Sequence, residues 1–438
     1  MTTSVRKLAP TEVELDIEVS ANDFAQAQER AFRKLVHRYK LPGFRPGRVP
    51  RRIFEQHVGK ASIDHQALED LVPEAYAKAL KEHQLEPVDR PHFDLDRSQE
   101  DNSLRIKAKV AVRPEIELAD YQKIAVQRQT ASVSDEEVNH SIEALRKKAA
   151  TLEPVEDRGI QSGDIVTMDY AGRIDGEPFE GGSAENHTTE VSEEKLLPGF
   201  VQQLMGAKPG EQRQVTVTFP EAYRASELAG KQAIFDVTIH EIKRAILPDL
   251  NDQLAVDVSE HKTLAELRAD VHRRLEAVAA ARSREAMQKQ ILEALIATND
   301  FPLPEVLVTR EIESLISDAR SYMQRIGRSW QEYLDAKGVD EAGLQAEYKS
   351  EAERRVKTAL LLEEIAKREN IEVTTAELER ELDSLAASYG QSRESMIELL
   401  RKSTGFGPII DTVRKGKTLD FLLEHAEVSD VKAEETKG

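Results

Sequence analysis

The chain has 438 residues, 39% apolar and 32% charged, with a net charge of −19 and no cysteine. That length predicts about three domains of a charge-rich, globular protein, and the missing thiols exclude disulfides, thiolate metal sites and a cysteine nucleophile. The 11 histidines include no i, i+4 pair, so neither a metal nor any other cofactor is expected, and no stretch reaches the roughly 20 apolar residues of a membrane span.

The N-terminus alternates acidic and apolar residues and lacks the apolar run of a signal peptide, so a cytoplasmic location is expected. In residues 11–19, Val13, Leu15, Ile17 and Val19 fall on one face and Glu12, Glu14, Asp16 and Glu18 on the other, which predicts a half-buried strand. A helix capped near Asn22-Asp23 follows, carrying Phe24, Ala27, Ala31 and Leu35. A second runs from about Ser62 to His83 with Ile63, Ala67, Leu71, Ala75 and Leu80 inward. Residues 104–112 alternate again, now with Arg105, Lys107 and Lys109 outward. One acidic and one basic outer face suit neighbouring strands, each opposite-charge pair adding a few tenths of a kcal/mol.

Residues 1–113 therefore read as a small α+β domain. Arg113-Pro114 ends it, and residues 114–150 read as an extended connector with a helix begun by a Ser134/Glu137 capping box. Residues 151–245 turn to β character: IVTMDYAGRI, QVTVTF and an alternating Phe235, Val237, Ile239, with Asp175-Gly176 as a tight-turn signal. From 246 to 438 the stripes are helical, for example Leu264, Leu267, Val271 and Leu275, then Leu378, Leu382 and Leu385. A disordered tail is expected from about residue 429. The fold class is multidomain α+β: an α+β domain, an antiparallel β domain with a short helix, and a long all-α region.

Charge is unevenly spread. Between Arg30 and Lys60 ten basic residues face one acid, Glu55, a local +9 that leaves −28 on the remainder. The overall acidity argues against DNA or any nucleic acid bound by the whole surface, while the island predicts one localised anionic partner. At its centre lies Leu41-Pro42-Gly43-Phe44-Arg45-Pro46-Gly47-Arg48-Val49-Pro50, whose prolines and glycines fix a short loop between helices. A phenylalanine presented with two guanidiniums is the composition of a binding hot spot.

This loop resembles the Gly-Phe-Arg-x-Gly-x-x-Pro signature of the trigger factor family, matched at Gly43, Phe44, Arg45, Gly47 and Pro50; Pro46 stands where the family usually has lysine. The resemblance implies docking of Gly43, Phe44, Arg45, Gly47 and Arg48 on the large ribosomal subunit, protein and rRNA, near the nascent-chain exit. In the middle region Gly163-Asp164, Tyr170, Gly172, Asp175-Gly176, Phe179, Leu197-Pro198-Gly199-Phe200, Tyr223, Gly230 and Phe235 resemble the order and spacing of FKBP-type prolyl isomerases. That resemblance implies an isomerase pocket of Tyr170, Phe179, Leu197, Phe200, Tyr223 and Phe235. His187 stands where an aromatic is common, and Ser192-Glu193-Glu194 lacks the usual glycines. The helical region is similar to the family's C-terminal domain in length and position.

A chaperone of nascent and unfolded chains, with an accessory isomerase, is the leading expectation. An isomerase with flanking dimerisation or targeting domains, and an inert helical scaffold, are the alternatives. Candidate client-binding residues are Val306, Leu307, Val308, Tyr322, Met323 and Ile326, with Phe406, Ile409, Ile410, Leu422 and Leu423 nearer the C-terminus. No membrane partner is expected, and a homodimer of the free protein stays open.

Overall fold

The computed structural model describes every residue except 40, 43, 46, 99–102, 131, 132, 222, 224–227, 404 and 433–438. Packing groups the chain into two compact units, Met1–Arg128 with Glu285–Val431, and a second centred on Gln129–Arg284.

The first unit begins with β1 (Thr2–Ala9), β2 (Glu12–Val19), α1 (Ala21–Arg38), α2 (Arg51–Val58), α3 (Lys60–Glu82), β3 (His92–Arg97) and β4 (Leu104–Ala111). The strands form one antiparallel sheet in the order β1-β2-β4-β3. β2 and β4 pair with their acidic and basic faces matched, Asp16 opposite Lys107 and Glu18 opposite Arg105. Arg105 also reaches diagonally to Asp16 with three hydrogen bonds of 2.8, 3.1 and 2.6 Å, and these hold that carboxyl below its usual range. On the other face Leu15, Ile17, Ile106 and Ala108 bury against Phe24, Ala31, Ile63, Ala67 and Leu71 of α1 and α3. α1 starts earlier than Asn22-Asp23: Ser20 is its cap, accepting the Asp23 N–H. β1 and β3 carry little alternation in sequence because as edge strands they are mostly exposed.

Next come β5 (Ala125–Thr130), α4 (Asp135–Lys148), β6 (Thr151–Pro154), β7 (Ile165–Ile174), β8 (Glu177–Glu190), α5 (Phe200–Leu204), β9 (Gln212–Thr218), β10 (Gln232–Ile246), α6 (Asp252–Val258) and α7 (Leu264–Thr298). β10 organises the antiparallel sheet of the second unit: it pairs with β7 along one edge, and with β9 and then β6 along the other. β7 and β8 form a hairpin around Asp175-Gly176, whose positive φ values of 52° and 87° give the twist a two-residue turn needs. β8 was not expected, since its glycines and polar residues carry no period-two signal. In the same unit Val138 and Ile142 of α4 pack on Ala255 of α6 and on Leu267 and Val271 of α7.

α7 carries the chain back to the first unit, followed by α8 (Glu305–Arg325), α9 (Trp330–Lys337), α10 (Glu341–Arg368), α11 (Thr375–Ser388), α12 (Arg393–Lys402), α13 (Gly407–Glu424) and β11 (Glu427–Lys432). The connector is not free: Tyr121 and Val126 are buried among Ile291 and Leu295 of α7, Leu361 and Ile365 of α10, and Leu422 of α13. β11 pairs with β5, and Asp430 bonds Arg128. The chain therefore stays ordered past the expected tail start at 429, because β5 supplies backbone partners that a polar segment has no means of providing for itself; residues 433–438 lie outside the described residues.

One carboxylate ties the last helices together. At the start of α11, Glu377 accepts from the Thr374 N–H, from Lys417 of α13 and from the Thr374 hydroxyl, which lower its pKa from 4.5 to about 2. A folded-state pKa below the unfolded one stabilises the fold above the unfolded value. That contribution is lost as pH falls from 4.5 towards about 2. Glu377→Gln should therefore speed amide exchange in 375–388 at neutral pH and flatten its rise through this acid window. Identical exchange profiles for parent and variant would contradict the assignment.

Candidate functional site

The aromatic residues singled out in the middle region converge on Phe235. From β10, its ring meets Tyr170 of β7 at 6.1 Å between centroids, Phe179 of β8 at 6.0 Å and Phe200 of α5 at 5.5 Å, all edge-on. Leu197 lies in the turn before α5, its carbonyl accepting the Phe200 N–H, and packs against the same core. Tyr223 joins through a ring the sequence reading passed over: Phe219 touches Phe179 at 5.9 Å and Tyr223 at 4.7 Å. Phe219 was legible only as the last residue of the QVTVTF strand run. Phe200, Phe219 and Phe235 are buried, Tyr170, Phe179 and Leu197 are half-buried, and Tyr223 is exposed. The cluster thus has a closed floor and an open rim.

Two glycines make room for these rings. β7 sets Gly172 opposite Phe235, and a Cβ on Gly172 would fall 2.5 Å from that ring; one on Gly182 would fall 2.8 Å from Phe179. Beside the rim, His187 meets the Tyr170 ring edge-on at 5.6 Å, so the departure from the aromatic pattern still places a ring there. Asp169, next to Tyr170, accepts from the Asn186 N–H and pairs with His240, which lower its pKa. The phenylalanine rings gathered on Phe235 supply apolar surface. Such a site suits rotation about an X–Pro bond, whose barrier of about 18–20 kcal/mol comes from amide resonance. The twisted transition state is less dipolar than the planar amide, so an apolar cleft favours it without proton transfer.

The basic loop lies between α1 and α2. Phe44 is 39% exposed, and Arg45 and Arg48 are exposed. Gly43 and Pro46 lie outside the described residues. The island is less uniformly basic than its sequence suggests, because α1, α2 and α3 bring acids to it. Arg33 and Arg51 pair with Glu29, Lys34 with Asp70, Arg30 with Glu74 and Arg51 also with Glu55. Arg38, Arg45, Arg48 and Arg52 have no ion pair among the described residues.

The client candidates separate by helix face. On α8 and at its C-cap, Val308 and Met323 are buried, Val306 and Leu307 are half-buried, and Tyr322 and the cap residue Ile326 are 55% and 47% exposed. On α13, Ile409 and Leu422 are buried while Ile410 and Leu423 are half-buried, as is Phe406 before it. Met323 and Ile409 are therefore core. Met323 lies seven residues from buried Ile316 on one face of α8, whereas Tyr322, one position earlier, and Ile326, the C-cap, are exposed. Tyr389 and Leu399, exposed at 70% and 53%, were missed; each looks in sequence like an ordinary stripe residue or helix end.

Comparison with known proteins fits this arrangement. Residues 1–145 match the family described as bacterial trigger factor protein, 263–424 its C-terminus, and 156–240 the FKBP-type peptidyl-prolyl cis-trans isomerases. The trigger factor of Geobacillus kaustophilus strain HTA426 is 40% identical over 98% of this chain and all of its own length. The chain belongs to the trigger factor family. The trigger factor of Pelotomaculum thermopropionicum is 37% identical over all of this chain and 99% of its own. A solved structure from work on "Promiscuous Substrate Recognition in Folding and Assembly Activities of the Trigger Factor Chaperone" superposes with a TM-score of 0.54 at 26% identity, covering 97% of this chain and 99% of that one. As a trigger factor, the protein is a chaperone with an FKBP-type isomerase domain inserted between its N-terminal and helical parts. No helix among the described residues is long and apolar enough to cross a membrane.

The glycine spacing gives a test of the ring cluster. Gly172→Ala should overpack Phe235, destabilise the isomerase region by about 1–3 kcal/mol and lower turnover of a Phe-Pro tetrapeptide. Unchanged stability and turnover would show that Phe235 is free to move away, and that the cluster is not a fixed site.

Proposed function

We propose that this trigger factor works in the cytosol, docked on the large ribosomal subunit through Phe44, Arg45 and Arg48 with Gly43 and Gly47. There it holds emerging chains on exposed apolar positions of its helices and isomerises their X–Pro bonds in the Phe235 cluster. The observation that carries the docking assignment is the contrast within the basic island: Arg30, Arg33, Lys34 and Arg51 pair with acids of their own domain, while Arg45 and Arg48 beside exposed Phe44 have no ion pair among the described residues. Free guanidiniums next to an aromatic suit a partner of mixed protein and phosphate surface, and such binding weakens with salt. Replacing Phe44, Arg45 and Arg48 together with Ala should abolish co-sedimentation with empty ribosomes while leaving the fold intact, because none of the three is buried. Parent-like sedimentation of the triple variant would remove the assignment.

Within the isomerase, Tyr170, Phe179, Leu197, Phe200, Tyr223 and Phe235 form the prolyl pocket in this reading, Tyr223 acting as an exposed wall over a buried floor. Tyr223→Ala should slow Phe-Pro turnover with little loss of stability, whereas Phe200→Ala should cost both, about 3–5 kcal/mol for a buried ring. Equal rates for parent and Tyr223→Ala would misplace the wall. For client binding the exposed pair Tyr322 and Ile326 replaces buried Met323 and Ile409 as the leading candidates, and Val306, Leu307 and Ile410 are half-buried. A Tyr322→Ser, Ile326→Ser variant should suppress aggregation of a refolding client less well at unchanged helicity. The same exposed apolar surface would serve pairing of two free copies.

A further inference from the structure

The docking motif leaves open what holds its loop in one shape. Phe44 contributes no anchor, being exposed. Two local turns, Phe44 N–H to the Leu41 carbonyl at 3.2 Å and Arg48 N–H to the Arg45 carbonyl at 3.0 Å, shape the loop without tying it to anything else. Val49 buries at its far end, 4% exposed, and Leu41 packs on the domain core at its near end. Between these ends, among the described residues, the tie is at Gly47, whose N–H donates to the Val36 carbonyl of α1 at 3.0 Å. Gly47 has a φ of +82°, in the left-handed region that favours glycine. Its missing side chain matters equally: a Cβ there would fall 2.3 Å from Cε1, 2.6 Å from Nδ1 and 3.0 Å from Nε2 of His37. The imidazole, in the last turn of α1, thus covers the Gly47 Cα and occupies the space that any side chain at 47 would need.

We infer that His37 is a positioning residue for ribosome docking: with the Val36 carbonyl it clamps Gly47 against the end of α1 and so fixes where Phe44, Arg45 and Arg48 are presented. The inference rests on the docking assignment above and adds a residue outside the loop motif. His37 itself need not touch the partner. Its contribution is preorganisation: a clamped loop loses less freedom on binding, and a loosened one pays that cost in affinity. The ring acts by shape, so an uncharged ring should replace it.

Four full-length variants separate the possibilities, measured by ribosome affinity and dissociation rate alongside thermal unfolding. His37→Ala should weaken binding about three- to tenfold, chiefly through faster dissociation, a size expected for one or two groups losing their fixed conformation. Unfolding should not change, since His37 is exposed. His37→Phe should bind like the parent. Gly47→Ala should lose more than His37→Ala, and adding His37→Ala to it should recover part of the loss by vacating the ring's space, the remainder reflecting the left-handed backbone. Parent-like binding by His37→Ala, failure of His37→Phe to restore it, or independent multiplication of the two losses in the double variant would overturn the clamp. If the Phe44, Arg45, Arg48 triple variant abolishes binding while His37→Ala does not affect it, the clamp alone has failed. Should that triple variant bind normally, the docking assignment has failed and the clamp with it.

Discussion

The architecture depends on closing a long excursion. The chain leaves the first unit after Arg128 and rejoins it at Glu285, so the two ends of everything between must be held close together. Ser283 donates its hydroxyl to the Gln129 carbonyl at 2.9 Å. Just beyond, the Gln290 side chain exchanges hydrogen bonds of 2.8 and 3.0 Å with the backbone of Gln127. The connector that makes this possible is fixed by burial: Tyr121 and Val126 are 6% and 1% exposed, and burying two such side chains contributes about 1.5–3 kcal/mol each. With β11 paired to β5, the C-terminal strand also secures the exit point.

Within the host unit the N-terminal domain meets the helices mainly through charge. Arg113 pairs with Glu363 at 2.6 Å and with Glu86 at 3.3 Å, and Lys367 also reaches Glu86. Arg310 bonds the Val88 carbonyl and Asp89. Burial alone would raise the Glu363 pKa, but the hydrogen bond and charge of Arg113 outweigh it and hold the carboxyl below its usual range. Such pairs fix orientation more than they stabilise, because desolvation offsets much of the attraction. The same principle operates in the basic island, where acids of the domain itself decide which arginines remain free. Charge in this protein is informative only after pairing.

Those pairings explain what was and was not legible in sequence. Strands β2, β4, β7, β9 and β10 announce themselves because one face is buried and the other polar. β8 does not, since Gly181, Gly182 and polar residues erase the alternation while the hairpin supplies its hydrogen bonds. The resemblance to FKBP-type isomerases singled out the aromatic residues of the proposed pocket, yet Phe219, which links Tyr223 to the rest, was invisible as anything but strand. Among the client candidates, apolar content alone did not separate Met323 from Tyr322; the helical phase of α8 did. His37 lacked any signal, because its role arises from a glycine ten residues away.

In the proposed division of labour, proline isomerisation is confined to the insertion. Excision tests this most directly. A chain in which a short flexible linker joins Arg128 to Glu285 bridges ends that the structure already holds near each other. Assayed for aggregation suppression and for Phe-Pro turnover, it should fold, retain the first activity and show none of the second. Failure of the shortened chain to fold, or turnover surviving in it, would contradict the division.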